Sequence, residues 1–445
     1  MDDELPVVVI GAGPVGLAAA AEAAGRGLPA VVLEQGDRPG AAVREWGHVR
    51  LFSAWRDLVA PAAEKLLAER GWTRPDDAAY PTGDAWAQEY LDPLAAALGE
   101  RVRYGTEVLG VSRRGRDRVV DADRDEQPFT VRVRASGGEE RLLARAVVDA
   151  SGTWGAPNPL GGDGLPAPGE DAADRIGYRI PDLADDRERA RYADRRTAVV
   201  GSGHSALTAL VELAGLAEQA PGTRAVWVLR RGEVGDAFGG GDDDQLAARG
   251  ALGDRARAAV ESGRVEVVTG FRTAEVRRQG SAVVLVDDGG RALDPVDEVV
   301  ALTGFRPDLA PLSEVRLGLD ATLQAPVELA PLIDPNVHSC GTVYPHGAAE
   351  LAHPEPGFYL AGMKSYGRAP TFLALTGYEQ VRSIAAAIAG DHASAAKVEL
   401  TLPETGVCQG PGVDEATEEE EAAGGCCGGG AEPAESTHPA MPVVK

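Results

Sequence analysis

Four short apolar runs in the chain each stop at a glycine turn: VVVIGAG (7–13), AVVDASG (146–152), TAVVGSG (197–203) and EVVALTG (298–304). Unbroken runs of this kind fit strands buried on both faces. The first and third lead into long Ala/Leu-rich stretches of helical period, so each predicts strand–turn–helix, the opening of a parallel α/β unit. Between 100 and 145 the pattern changes. VRYGTEVLGVSRR, RVVDADR and FTVRVRASGG alternate apolar and polar residues around Gly and Asp turns and predict an antiparallel meander. Residues 51–98 predict helices interrupted at Pro61, Pro75 and Pro81. The Gly-, Pro- and Asp-rich stretch 153–196 predicts a connection to a second domain. From about 398 no period remains, which predicts a disordered or loosely draped tail.

The first glycine turn sits in VVVIGAGPVGLAAAAEAAGRGLPAVVLEQ and has the spacing G-x-G-x-x-G at Gly11, Gly13 and Gly16. That spacing alone is weak, but here a strand precedes it, a helix follows, and a second strand ends in Glu34. Each part has a physical task. Gly11 permits a tight turn, Gly13 lets backbone approach a pyrophosphate, and Gly16 lets helix pack close on strand. The helix N-terminus offers free N–H groups to the phosphates, and Glu34 would accept from ribose hydroxyls.

TAVVGSGHSALTALVELAGLAEQAPGTRAVWVLRRGE repeats the design, with Gly201 and Gly203 at the turn and Ala206 in the third glycine position. Its second strand ends in Arg230 and Arg231 instead of an acid. A ribose 2′-hydroxyl wants a carboxylate there and a 2′-phosphate wants guanidinium, so NADPH is expected over NADH. A solvated strand end is the bland alternative, because arginine is frequent in this chain. His204 reads as a variable turn residue at a helix start, not as a catalytic base.

The expected fold class is therefore α/β, with two Rossmann-like dinucleotide-binding domains, the meander and the tail. Residues 1–155 are expected to form the first part of one dinucleotide-binding domain, 156–325 a second such domain, 326–397 the rest of the first, and 398–445 the acidic tail.

The composition narrows the partners. An apolar content of 44% is ample for packed cores, and the net charge of −25 argues against nucleic acid and anionic membrane surfaces. Part of that charge is local, since 404–435 holds nine acidic residues and neither Lys nor Arg. The start MDDELP lacks the basic-then-apolar order of a signal peptide, and no apolar run approaches eighteen residues. Four cysteines make no secreted disulfide scaffold, so a cytoplasmic location is expected. Four lysines beside forty arginines read as codon bias of a GC-rich genome. A small-molecule substrate is expected, and a homodimer is left open.

Two dinucleotide folds flanking a meander resemble the two-dinucleotide-binding-domain flavoproteins, over roughly residues 5–395. The resemblance implies FAD in the first site, NADPH in the second, and hydride passing from one to the other. VVDASGTWGAP and VVALTGFRPD look like the segments where such chains cross between domains. GFYLAGMKSYGRAPTFLALTGYEQVRSIAAAIAG looks like the closing FAD strand and helix. The resemblance implies a helix starting near Ala369–Phe372, its N-terminus toward the flavin pyrimidine carbonyl. The acid usual at that strand end is replaced by Met363, followed by Lys364. Within the superfamily the order of pieces most resembles class B flavin monooxygenases, with WGHVRLFSAW (46–55) and VVGSGHSA as their lining and turn segments. GHVRLFSAW, MKSYGRAPTF and LPETGVC resemble arsenic-resistance-associated flavoprotein monooxygenases. The fingerprint between the two glycine turns is missing: 156–198 holds neither Phe nor His, and IGYRIPD (176–182) is its nearest phrase.

Other candidate chemistry divides less cleanly. HSCGTVYPHGAAELAH (338–353) gathers His346, Glu350 and His353, but Pro345, Gly347 and Pro354 interrupt it, and a loop bordering the flavin is favoured over a metal site. Trp46, Trp55, Trp72 and Trp86 suit a pocket wall or a core equally. Arg50, Arg56 and Lys364 suit an anionic substrate or a flavin anion. In the tail, GGCCGGG resembles the C-terminal cysteine arms of large thioredoxin reductases and mercuric reductases. Those enzymes relay electrons through an early C-x-x-x-x-C, and this chain has no cysteine before Cys340. Cys408, Cys426 and Cys427 could instead capture a soft ion such as trivalent arsenic, or belong to an incidental tail. The acidic run between them opposes thiolate formation. The expected function is an FAD- and NADPH-dependent oxidoreductase, monooxygenase-like, acting on a soft atom or carbon. A reductase of thiols or of a thiol-bound metalloid is the second reading, and a non-enzymatic flavin-bound sensor or metalloid buffer the third.

Overall fold

Strands β1 (Val7–Ile10), β2 (Ala30–Leu33), β3 (Val102–Arg103), β7 (Ala146–Asp149) and β15 (Phe358–Leu360) form a parallel sheet in the order β15–β7–β1–β2–β3. The computed structural model that shows this describes residues 5–171, 173–239, 246–338, 346–370 and 372–398. Ile10 lies opposite Leu33 on one side and Asp149 on the other, and Leu360 also lies opposite Asp149. The apolar run of β1 is buried on both faces, as the sequence pattern requires. Val7 and Val9 join a core with the Pro14–Gly25 and Ala374–Ile388 helices, while Val8 and Ile10 face the meander side. Each such side chain, fully buried, contributes roughly 1.5–3 kcal/mol.

The meander is β4 (Glu107–Arg113), β5 (Phe129–Ala135) and β6 (Gly138–Ala144), antiparallel throughout. One of its expected strands is misplaced. RVVDADR forms turns, with Val119 86% exposed, and the third strand is GEERLLA instead. Asp117 accepts from the Val119 amide, and the buried Arg124 donates to the Asp117 carbonyl (2.6 Å), so local capping wins over alternation. Glu355, just before β15, binds the meander to the closing strand. It accepts from Arg113 (2.7 Å) and Arg124 (2.6 Å), and all three side chains are buried.

The second sheet holds β8 (Ile176–Gly177), β9 (Arg196–Val200), β10 (Arg224–Val228), β11 (Val265–Val268) and β14 (Glu298–Ala301), parallel in the order β11–β10–β9–β14–β8. Between β11 and β14 the chain makes an antiparallel hairpin, β12 (Thr273–Gln279) and β13 (Ala282–Asp287). Again alternate residues serve two layers. Val199 and Trp227 pack with the His204–Gln219 helix, and Ala198 and Val226 with the hairpin. From Leu309 onward the chain packs with the first sheet and meander, ahead of the division at 325 drawn from sequence. Among the described residues no helix is long and apolar enough to cross a membrane. Cys340, Cys408, Cys426 and Cys427 lie outside the described residues.

Candidate dinucleotide sites

Both glycine turns emerge at the C-terminal ends of their sheets, beside the strand where the order reverses. That is where open α/β sheets hold ligands. Gly11 has φ +95, and a Cβ there would come within 2.9 Å of the Ala150 carbonyl oxygen. A Cβ on Gly16 would collide with the Gly11 carbonyl, so the helix can approach the turn only without one. Gly13 is different. Nothing lies within 4 Å of where its Cβ would be, so the protein leaves that space open. Gly13 also begins the Pro14–Gly25 helix without a side-chain cap, so no side chain competes for its first N–H groups. Glu34 is buried and fixed, its two carboxylate oxygens accepting from the Ala12 amide (2.7 Å) and the Gly36 amide (2.8 Å). This cradle fits a nucleotide pyrophosphate and ribose.

The second turn repeats the geometry. Gly201 has φ +139, and a Cβ there would collide with the Leu302 carbonyl, whereas around Gly203 the space is open. The His204–Gln219 helix likewise begins without a side-chain cap. Ala206 is fully buried in the place of the third glycine. Beyond β10 the backbone stays paired with the loop after β11. Leu229 donates to Val268 (2.8 Å), Phe271 to Leu229 (2.9 Å) and Gly270 to Arg231 (2.6 Å). This brings Arg272, which sequence reasoning missed, close to Arg230 and Arg231. Arg230 keeps much of its surface exposed, yet its pKa falls because surrounding protein disfavours the charge and Arg231 and Arg272 repel it. A cluster of three guanidinium groups suits a phosphate.

Residues from both bodies meet between the turns. Phe52, in the 46–55 segment, packs on the second core and meets His204 edge to face, with centroids 5.5 Å apart. Trp154, after β7, and Phe305, after β14, stack with centroids 4.9 Å apart. The guanidinium of Arg179 lies over Trp154, and Glu45 accepts from the Trp154 indole (2.9 Å). IGYRIPD thus supplies β8 and this arginine at the crossing where the monooxygenase fingerprint was sought.

At the closing strand the structure brings in Lys364, while Met363 is half-buried beside it. The Lys364 ammonium lies 2.7 Å from the Asp149 carboxylate and 3.0 Å from the Ser151 hydroxyl. Lys364 and Asp149 are 4% and 2% exposed. An aspartate closing an otherwise apolar run, VVD, was the only sequence signal for this pair. Ala369 is buried in the first core, and Phe372 packs edge to face on Tyr366. The closing helix starts just beyond them at Ala374, without a side-chain cap.

The His/Glu group does not converge. His346 meets the Gln380 amide (2.9 Å), Glu350 accepts from the Gly347 amide, and His353 accepts from the Gly318 amide. Trp55 and Trp86 are core residues, and Trp46 and Trp72 pack against the same core. Arg50 donates to the Tyr80 carbonyl and Arg56 pairs with Asp57 (3.6 Å).

Comparison with known proteins agrees with this fold. The rice (Oryza sativa subsp. japonica) indole-3-pyruvate monooxygenase YUCCA1 is 30% identical over 212 residues, 46% of this chain and 44% of that protein. The match thus spans less than half of the rice enzyme. A ferredoxin–NADP reductase of Salinispora arenicola is 29% identical over 71% of this chain and 79% of its own. The solved bacillithiol disulfide reductase Bdr (YpdA) of Bacillus cereus shares the fold, with a TM-score of 0.63, 21% identity, and 87% of this chain and 99% of that one covered. The family model for pyridine nucleotide-disulphide oxidoreductases matches residues 8–330. The chain therefore belongs to the pyridine nucleotide-disulphide oxidoreductase family and is a flavin-dependent oxidoreductase.

Proposed function

We propose that the protein is an NADPH-dependent monooxygenase whose cofactors are FAD in the first site and NADPH in the second. Its substrate is a small molecule oxygenated at a soft atom, trivalent arsenic among the candidates, or at carbon. One observation carries the choice of oxygen over disulfide: the first 339 residues contain no cysteine. Every strand end and turn of the two sites falls within that stretch, apart from β15 and the closing helix, and those lack cysteine too. No protein sulfur from these elements can relay electrons. The relationship to a monooxygenase supports the reading, and the segments resembling arsenic-associated enzymes support the soft-atom class.

With FAD and NADPH bound, the site would supply oxygenation chemistry: NADPH and a proton provide two electrons and the substrate the other two, so one atom of dioxygen enters the substrate and the other leaves as water. The protein's tasks are to hold and shield. The two uncapped helix starts bind phosphates, Glu34 orients the ribose, and Arg230 with Arg231 and Arg272 selects the 2′-phosphate. Phe52, edge to face with His204, would help shield the site from water.

A second reading is favoured by the adjacent Cys426 and Cys427, which could receive the electrons as a disulfide. An anaerobic NADPH titration of the air-oxidised, FAD-loaded chain separates the two. About one equivalent per flavin is expected, with labelled dioxygen then appearing in the product. About two equivalents, returning to one in the Cys426→Ser/Cys427→Ser variant, would replace the monooxygenase by a thiol reductase.

A further inference from the structure

The sequence lacks the acid expected at the end of the closing strand and has Met363–Lys364 there. The structure places an acid on the neighbouring strand, with Lys364 against it. Asp149 ends β7, in register with Leu360 of β15 and Ile10 of β1. Lys364 reaches it from the turn after β15. Ser151 fixes the carboxylate from the other side, its hydroxyl (2.6 Å) and amide (3.1 Å) both donating to Asp149 Oδ1. Asp149 thus has three donors. Lys364 Nζ has two acceptors, Asp149 Oδ2 and Ser151 Oγ, for three N–H groups. The same backbone forms the floor of the first glycine turn, since a Cβ on Gly11 would meet Ala150 O at 2.9 Å and Ser151 Cα at 3.0 Å. The ion pair therefore borders the crevice between β1 and β7, where the strand order reverses.

We propose that Lys364, held by Asp149 and Ser151, is a cofactor-binding residue that donates its third N–H to an oxygen of the FAD ribityl–pyrophosphate arm, in place of an accepting carboxylate. Rare usage supports a specific need for lysine. Where a cation serves, this chain uses arginine forty times and lysine four. The compact ammonium fits a buried point contact that a planar guanidinium fork would overfill.

This inference rests on the first site holding FAD, and the experiment separates the two claims. FAD affinity of the full chain is measured by flavin fluorescence for wild type, Lys364→Met, and the neutral double variant Asp149→Asn/Lys364→Met. The double variant leaves no unpaired buried charge, so it keeps the fold even if the single variant does not. Far-UV circular dichroism and apo-protein melting report the fold. The expected result is a folded double variant whose FAD affinity falls about tenfold to a hundredfold, the range for a hydrogen bond to a charged group. Wild-type affinity in the folded double variant would overturn the proposal and leave a purely structural ion pair. A wild-type chain that does not bind FAD would overturn the underlying assignment instead.

Discussion

Arg179 and Trp154 form a stacked pair, the guanidinium carbon 3.8 Å from the ring centre, and Arg179 also donates to the Trp154 carbonyl at 3.0 Å. Trp154 follows the last long strand of the first sheet, while Arg179 follows the edge strand of the second. Glu45, which ends the short helix Ala41–Arg44 of the first body, lies 3.4 Å from the same guanidinium. The trio therefore ties the two nucleotide-binding bodies at the crossing. Arg179→Ala removes a cation–π contact of about 0.5–2 kcal/mol. We expect NADPH-driven flavin reduction, followed by anaerobic stopped flow, to slow by about twofold to thirtyfold while FAD content stays at the wild-type level. An unchanged reduction rate would sever the stack from hydride transfer.

The glycines of the first turn are expected to fail in different ways. Gly13 has φ −76 and open space at its Cβ position, so Gly13→Ala folds without strain. In the FAD reading that space belongs to the pyrophosphate, and the variant should melt like wild-type apo-protein yet retain little FAD. Gly16→Ala, by contrast, drives a methyl into the Gly11 carbonyl and should lose stability even as apo-protein. Equal FAD retention by Gly13→Ala and wild type would remove the pyrophosphate from this turn.

Nicotinamide choice gives a third test. Arg230→Ala and Arg272→Ala each remove one guanidinium from the cluster beyond β10. A charge-assisted hydrogen bond contributes about 1.5–3 kcal/mol, so kcat/KM for NADPH should fall about tenfold to a hundredfold in each. The value for NADH should hardly move, because its ribose lacks the phosphate. A parallel loss for both nucleotides would show that the arginines support the fold and not the selection.

His353 gives a pH dependence of stability. Burial lowers its pKa from 6.5 to about 4, and the ring packs near Phe358. Well above pH 6.5 the imidazole is neutral in both the folded and unfolded chain and contributes no pH dependence. As pH falls from 6.5 toward 4, the unfolded chain takes up the proton first, so stability declines by up to about 3 kcal/mol. His353→Asn keeps an acceptor for the Gly318 amide and should flatten that part of the curve. Urea unfolding at pH 7, 6, 5 and 4.5 measures it, and identical slopes for the two proteins would refute the assignment.

Much of this could be read from sequence wherever one residue's chemistry determines local structure. The apolar runs ending in Gly11, Gly152, Gly201 and Gly304 gave four strands of two sheets, because burial on both faces leaves an unmistakable pattern. Glu34 and Arg230 were singled out because strand ends beside glycine turns have known tasks. What escaped depends on contacts between distant segments. Arg272 reaches its cluster only because β11 pairs beside β10, and Asp149 is informative only once β15 lies against β7. RVVDADR misled for the opposite reason. Its alternation is local, but its fate is set by Arg124, which is drawn into the buried pair with Glu355 far along the chain.

The first sheet receives its fifth strand, β15, only after the whole second body has been threaded between β7 and residue 358. During synthesis, at about 5–20 residues per second, the nascent chain therefore carries an unfinished first sheet while all of the second is made. The edge of β7, buried in the finished protein, stays open until β15 arrives. The late segment also brings Glu355 to the meander and Lys364 to Asp149. Maturation of the first site is thus timed by the segment from Glu355 onward, and any truncation ahead of residue 358 leaves a sheet edge exposed where a strand should be.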